Sequence, residues 1–203
     1  MDKREVAAIL NEIGIILELK GENPFKVRAY YNGARSIERL DEDLTKMVED
    51  GTLGEVEGIG KTLEETITEL VTTGRLEYYE DIKESFPETL FELLDVPGLG
   101  PKRVKTLYNE LGITNIGELE YACMENRLLD LPGFGKKMQA NILKGIDNLK
   151  AYRNKSLYPE AYDVAQDILD RLKAHPHTFE ASVAGSLRRH KEIIGDIDIV
   201  VAA

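Results

Sequence analysis

Three segments of the chain repeat one pattern: Val56-Glu57-Gly58-Ile59-Gly60-Lys61-Thr62-Leu63, Val96-Pro97-Gly98-Leu99-Gly100-Pro101-Lys102-Arg103-Val104 and Leu131-Pro132-Gly133-Phe134-Gly135-Lys136-Lys137-Met138. Each runs apolar, any residue, glycine, apolar, glycine, and then opens a helical pattern, so each reads as helix, tight hairpin, helix. The glycines admit positive φ and a close external approach. The middle residue (Ile59, Leu99 or Phe134) is expected to plug the hairpin onto its helices, and the second helix then aims its first N–H groups outward. Backbone amides at a helix start suit a phosphate and read no base sequence. One Gly-x-Gly can serve any tight turn. Three in one helical context point to nucleic acid as the partner.

The copies are not equivalent. Lys102, Arg103 and Lys105 follow the second and Lys136 and Lys137 the third, whereas Lys61 after the first is followed by Glu64 and Glu65. Gly98, Gly100, Lys102, Arg103, Gly133, Gly135, Lys136 and Lys137 are therefore the stronger duplex contacts. Gly58, Gly60 and Lys61 serve either a strand end or a structural role. The net charge of −11 over 203 residues argues against a nucleic-acid partner only as a sum, because phosphate binding depends on local patches; it predicts weak binding at moderate salt.

Upstream, Val6, Ile9, Leu10, Ile13, Ile16 and Leu17 recur at helical spacing from Glu5 to Lys20, with Gly21 as the stop. Asn23-Pro24 then caps and starts a second helix carrying Phe25, Lys26, Arg28, Tyr30, Tyr31 and Arg35. Basic and aromatic residues interleaved in this way can hold a phosphate and stack on a base, although the pattern alone favours an amphipathic helix with tyrosines at a core edge. A third helix lies around Leu44 to Val48.

Near the C-terminus, Ala184-Gly185-Ser186-Leu187-Arg188-Arg189 precedes Gly195-Asp196-Ile197-Asp198-Ile199-Val200-Val201. Glycine, a hydroxyl and guanidinium groups suit a phosphate tail. Asp196 and Asp198 are two apart in an apolar strand pattern, so both carboxylates leave one face, a seat for hard divalent cations shared with substrate phosphates. An Asp-x-Asp alone is as often solvated surface. In combination with Gly-Ser and the arginines it resembles the nucleotidyltransferase superfamily.

No apolar run reaches the roughly 20 residues that span a bilayer, and the start Met-Asp-Lys-Arg-Glu is no secretory signal. A soluble cytoplasmic protein without membrane partners is expected. The single cysteine, Cys123, excludes an internal disulfide and reads as a core thiol.

The whole layout, three hairpins followed by Gly-Ser-x-Arg-Arg and Gly-Asp-x-Asp, resembles the family X DNA polymerases, the polymerase beta family, in its bacterial and archaeal branch. That resemblance implies a mainly α fold with a small α+β C-terminal part. It also implies a 5'-phosphate-binding domain over residues 1–86, a duplex-binding subdomain over 87–150 and an incomplete nucleotidyltransferase palm over 151–203. Gly185, Ser186, Arg189 and Gly195 match the positions that hold the nucleoside triphosphate. Asp196 and Asp198 match two of three catalytic, metal-binding aspartates, with Mg or Mn as cofactor. Lys26 and Tyr30 fall where the small domain meets the 5'-phosphate and template. The carbonyls of Gly54, Val56 and Ile59, and of Leu94, Val96 and Leu99, match a potassium or sodium site at the first and second hairpins. The implied partners of this monomer are gapped or primer-template DNA and a deoxynucleoside triphosphate.

Two departures stand out. The lysine that excises deoxyribose phosphate in some members is Thr66 here, so lyase activity by that residue is not expected. The third aspartate would lie beyond Ala203, so we expect the parent chain to continue and this one to bind DNA but polymerise little alone. The alternative is a non-catalytic helix-hairpin-helix DNA-binding adaptor.

Overall fold

The computed structural model describes residues 1–153 and 155–203. The elements in order are α1 (Lys3–Lys20), α2 (Pro24–Glu38), α3 (Leu44–Asp50), α4 (Lys61–Thr73), α5 (Glu77–Lys83), α6 (Glu88–Phe91), α7 (Pro101–Leu111), α8 (Ile116–Met124), α9 (Lys136–Arg153), β1 (Ser156–Leu157), α10 (Tyr158–Lys173), β2 (Glu180–Val183), α11 (Gly185–Arg188), β3 (Ile193–Ile194) and β4 (Ile199–Ala202). The chain is thus mainly helical with a small strand-containing C-terminal part, as its sequence predicts. Its contacts divide it into two units, Met1–Leu143 and Lys144–Ala203.

In the first unit, local chemistry sets the helix ends. Asp2 accepts from the Arg4 and Glu5 amides while Glu5 accepts from the Asp2 amide, a reciprocal cap for α1. The helix stops at Gly21 in the left-handed region (φ 77°). Asn23 Oδ1 accepts from the Phe25 amide at 2.9 Å, and Pro24 occupies the first turn of α2, where its missing N–H costs nothing. The apolar stripes these helices present meet in one core: Leu10, Ile13, Leu17, Ile37, Ile67 and Leu70 are almost wholly buried. Each such side chain contributes roughly 1.5–3 kcal/mol over an exposed position. Further along, Leu90, Leu93, Val104, Leu107, Leu119, Leu128 and Ile142 are also buried.

A 3-10 turn leads into each hairpin: Leu53–Glu55, Glu92–Asp95 and Arg127–Asp130. Its leucine is buried each time (Leu53, Leu93, Leu128), and this tertiary anchoring, which no local propensity signals, holds the turn.

The second unit packs Ala161 and Ala165 of α10 against Leu187 and Ile194, with Tyr158, Val183 and Ile197 around them. Two antiparallel pairs, β1 with β3 and β2 with β4, complete it. The second pair registers Val183 with Ile199 and Glu180 with Ala202, so the end of β2 and the start of β4 lie side by side. Among the described residues no helix is long and apolar enough to cross a membrane.

Candidate nucleic-acid interface and nucleotide site

The three hairpins share one hydrogen-bond ladder. The amides of Val56, Val96 and Leu131 donate to the carbonyls of Leu53, Leu93 and Leu128 at 3.0–3.2 Å, and those of Ile59, Leu99 and Phe134 donate to Val56, Val96 and Leu131 at 3.0–3.1 Å. The second bond closes a four-residue turn whose third residue is glycine at φ 90°, 89° and 83° (Gly58, Gly98, Gly133). With Pro97 and Pro132 second in two copies, this is the type II arrangement, which requires glycine third. Ile59, Leu99 and Phe134 are buried, as their plug role predicts.

The second glycine behaves differently. Gly60 (φ −88°, ψ 172°) and Gly100 (φ −108°, ψ 175°) are in extended backbone that any residue adopts, and each is the N-cap of its helix without a side-chain cap. A Cβ added at Gly60, Gly100 or Gly135 would meet no protein atom within 4 Å. Neither backbone strain nor packing asks for glycine there. What glycine leaves is open access to the helix starts: no side chain caps the first amides of α4 and α7, the first in α7 being that of Lys102 because Pro101 has no N–H.

Charge then separates the copies. Neither α7 nor α9 has an acidic residue in its first turn, whereas α4 has Glu64. The Glu64 carboxylate also reaches over the first hairpin, 3.0 Å from where a Cβ on Gly54 would lie. Lys61, Lys102, Arg103, Lys136 and Lys137 are all exposed. Arg103 is held at the mouth of its own hairpin, its Nη1 donating to the Gly98 carbonyl at 2.7 Å. Met138 Sδ lies 3.6 Å from a Cβ position on Gly98, so the second and third hairpins are neighbours. The carbonyls of Val56 and Val96 accept the plug amides and keep one lone pair each for a cation.

In the second unit, Gly185 begins α11 at φ 55°, and a Cβ there would collide with the Asp198 carboxylate. Only glycine lets the Gly185-Ser186 turn and Asp198 come together. The Ala184 amide donates to the Asp198 carbonyl at 2.8 Å, fixing the same junction. Asp196 and Asp198 lie in the extended segment just before β4 rather than within it, yet the alternation holds: both are exposed while Ile197 and Ile199 are half-buried. Among the described residues neither carboxylate is hydrogen-bonded or ion-paired within the chain, and no third His, Cys, Asp or Glu joins them. Two free carboxylates are a hard oxygen set that fits a divalent ion, provided phosphate or water oxygens complete its shell. Arg189 is exposed, and His190 beside it is in the left-handed region (φ 52°), its ring 5.3 Å from that of Tyr158.

Residues 1–76 match the helix-hairpin-helix domain family and residues 90–148 the SAM-like helix-hairpin-helix tandem family. Over 204 residues, 100% of this chain, the sequence is 35% identical to the DNA polymerase/3'-5' exonuclease PolX of Bacillus subtilis (strain 168). Over its whole length the chain is thus similar to a family X DNA polymerase. It spans 35% of that relative's length. A DNA ligase of Aquifex aeolicus (strain VF5) is 39% identical over 57 residues, 28% of this chain and 8% of the ligase, a likeness confined to a short segment.

Against the family pattern, the first unit's remaining site residues divide. Lys26 is exposed; its Nζ is 3.2 Å from Tyr78 Oη and 5.4 Å from the centroid of that ring, and this hydrogen bond raises its pKa above the usual lysine value. Tyr30 is not on that open face. It is 4% exposed and belongs to the core, and burial pushes its phenol up. Phe25 at the start of α2 is 78% exposed, an aromatic face beside Lys26 that the interleaved pattern contained. Thr66, at the family's lysine position, is buried and spends its hydroxyl on the Thr62 carbonyl at 2.8 Å; it offers no amine.

Proposed function

We propose that this chain is the DNA-gripping part, and the first part of the nucleotide-transfer centre, of a DNA-directed DNA polymerase that fills gaps during repair. The observation that carries the reading is the second glycine of each hairpin, Gly60, Gly100 and Gly135, kept open where nothing in the protein requires it. A phosphodiester can approach amides there that a methyl group would shield. Residues 1–86 meet a strand end, with Lys26 on a 5'-phosphate and Phe25 against a base; residues 87–150 hold the duplex through the two neighbouring hairpins; residues 151–203 begin the palm. A potassium or sodium ion at the carbonyls of Leu94, Val96 and Leu99, or of Gly54, Val56 and Ile59, would bridge hairpin and phosphate.

In the second unit, Ser186, Arg189 and the Gly195 amide orient the triphosphate of a deoxynucleotide, and Asp196 and Asp198 would hold Mg or Mn together with phosphate or water oxygens. A divalent ion held by Asp196 and Asp198 would supply Lewis-acid activation of a primer 3'-hydroxyl and charge neutralisation for pyrophosphate in nucleotide transfer. The role of Gly185 is positional: it lets the phosphate-binding turn stand against Asp198. The protein works as a cytoplasmic monomer. A non-catalytic adaptor is the second reading, favoured by the lack of a third ligand near Asp196 and Asp198 among the described residues.

The experiment is anisotropy on gapped duplex carrying a 5'-phosphate or a 5'-hydroxyl at the gap, at two salt concentrations. A clear 5'-phosphate preference that Lys26→Gln abolishes supports the gap-filling polymerase. Equal binding to both, with steep salt dependence, leaves only backbone contacts and favours the adaptor.

A further inference from the structure

A second cationic surface adjoins the start of α7. The end of α1, one face of α2 from Pro24 to Arg35 and the first turns of α7 enclose an open groove of about 540 Å³ whose walls include Arg28, Arg35, Lys102 and Lys105. That is within the range of ligand-binding pockets, about 300–1,000 Å³. The only acidic side chains lining it are Glu18 and Glu22. Glu18 accepts from the Tyr31 hydroxyl at 3.0 Å, and Glu22 acts electrostatically on Lys26. Among the described residues the side chains of Arg28, Lys102 and Lys105 make no hydrogen bond or ion pair. Arg35 uses two of its donors, on the Tyr31 carbonyl (3.2 Å) and Asn32 Oδ1 (2.7 Å), and keeps the others.

Four cations against two carboxylates leave the groove lining net positive in a chain of net charge −11. The Lys105 ammonium lies over Gly21, the left-handed residue that stops α1.

We infer that this groove holds the phosphodiester backbone of a single strand leaving the hairpin-bound duplex. Charge complementarity selects a polyanion. Continuity selects the strand: Lys102 lines the groove and also stands in the first turn of α7, where, Pro101 having no N–H, it carries the first backbone amide after Gly100. The aromatic ring in the groove is not a stacking platform, because Tyr31 is packed against Gly14 and tied to Glu18. The groove therefore grips phosphates and is indifferent to bases. The inference rests on the hairpins binding duplex.

The test measures wild type and the double variant Arg28→Gln/Lys105→Gln on three probes: a blunt duplex, the same duplex with a short thymidine extension, and one whose extension is an abasic phosphodiester chain. Both proteins are first checked for equal melting temperature, and Lys102→Gln is carried alongside. Wild type should bind both extended probes more tightly than the blunt one, by about five- to tenfold at low salt, and the salt slope of the extended probes should fall by about 1.4 when the two cations are removed. The double variant should lose this gain and keep its blunt-duplex affinity, whereas Lys102→Gln should weaken binding to all three. No gain from an extension, a gain that survives in the double variant, equal loss on blunt and extended probes, or a gain with thymidine but not the abasic chain would overturn the inference. Failure of the hairpin reading looks different: wild type would then not hold the blunt duplex at all.

Discussion

Gly98 and Gly100 stand two residues apart in one hairpin, and replacing each with alanine should break different things. At Gly98, φ is 89°, and an L-residue forced there costs about 1–2 kcal/mol; Gly98→Ala should lower the stability of the second hairpin by that amount. At Gly100 the backbone is extended and an added Cβ meets nothing within 4 Å. There the entropic gain of alanine over glycine, about 0.4–1 kcal/mol, is set against a slightly poorer helix cap, so stability should change by less than about 1 kcal/mol. Binding should move the other way. The new methyl occupies the approach to the α7 amides, and losing one charge-assisted hydrogen bond of about 1.5–3 kcal/mol corresponds to roughly ten- to a hundredfold weaker duplex binding. Denaturant titration and anisotropy on a blunt duplex, performed on both variants, separate the two effects. If Gly100→Ala bound duplex like wild type at unchanged stability, no ligand approaches that glycine. A large loss of stability in Gly100→Ala would instead make the glycine structural.

Three further outcomes follow from the same geometry. Because the hydrogen bond to Tyr78 raises the Lys26 pKa, that ammonium stays charged as pH rises toward the ordinary lysine value of about 10.4; a 5'-phosphate preference should therefore be flat from neutral pH to about pH 10, and a fall within that range would remove Lys26 as its source. With Thr66 buried and Lys26 protonated, borohydride reduction in the presence of DNA bearing a 5'-deoxyribose phosphate should trap no covalent adduct at the first hairpin, as mass spectrometry of the digest would report. Phe134 is 3% exposed, so Phe134→Ala should cost about 3–5 kcal/mol in chemical denaturation, and a cost below about 1 kcal/mol would deny it the plug role.

Much of this was legible in the sequence where the determinant is local. Glycine third in a four-residue turn, proline second, and Asn23-Pro24 at a helix start are each decided by backbone sterics within a few residues, and those elements stand where the spacing places them. Asp196 and Asp198 keep the face that period-two alternation assigns. What the sequence hid depends on tertiary placement. The 3-10 turns exist because Leu53, Leu93 and Leu128 are anchored in a core. Tyr30 goes inward because α4 and α5 cover its side of α2, which composition cannot reveal. Arg103 folds back onto Gly98 instead of standing free. The groove joins residues near position 28 to residues near 105, and nothing in either segment alone announces the other.

The most direct measurement is a nuclear magnetic resonance titration of the backbone amides with gapped duplex, in parallel with a duplex of scrambled sequence. The amides following Gly100 and Gly135, at Lys102, Arg103, Lys136 and Lys137, should shift first and alike with both sequences, with Lys61 responding less because of Glu64. Shifts confined to regions outside the three helix starts, or shifts that appear with one sequence and not the other, would contradict this expectation.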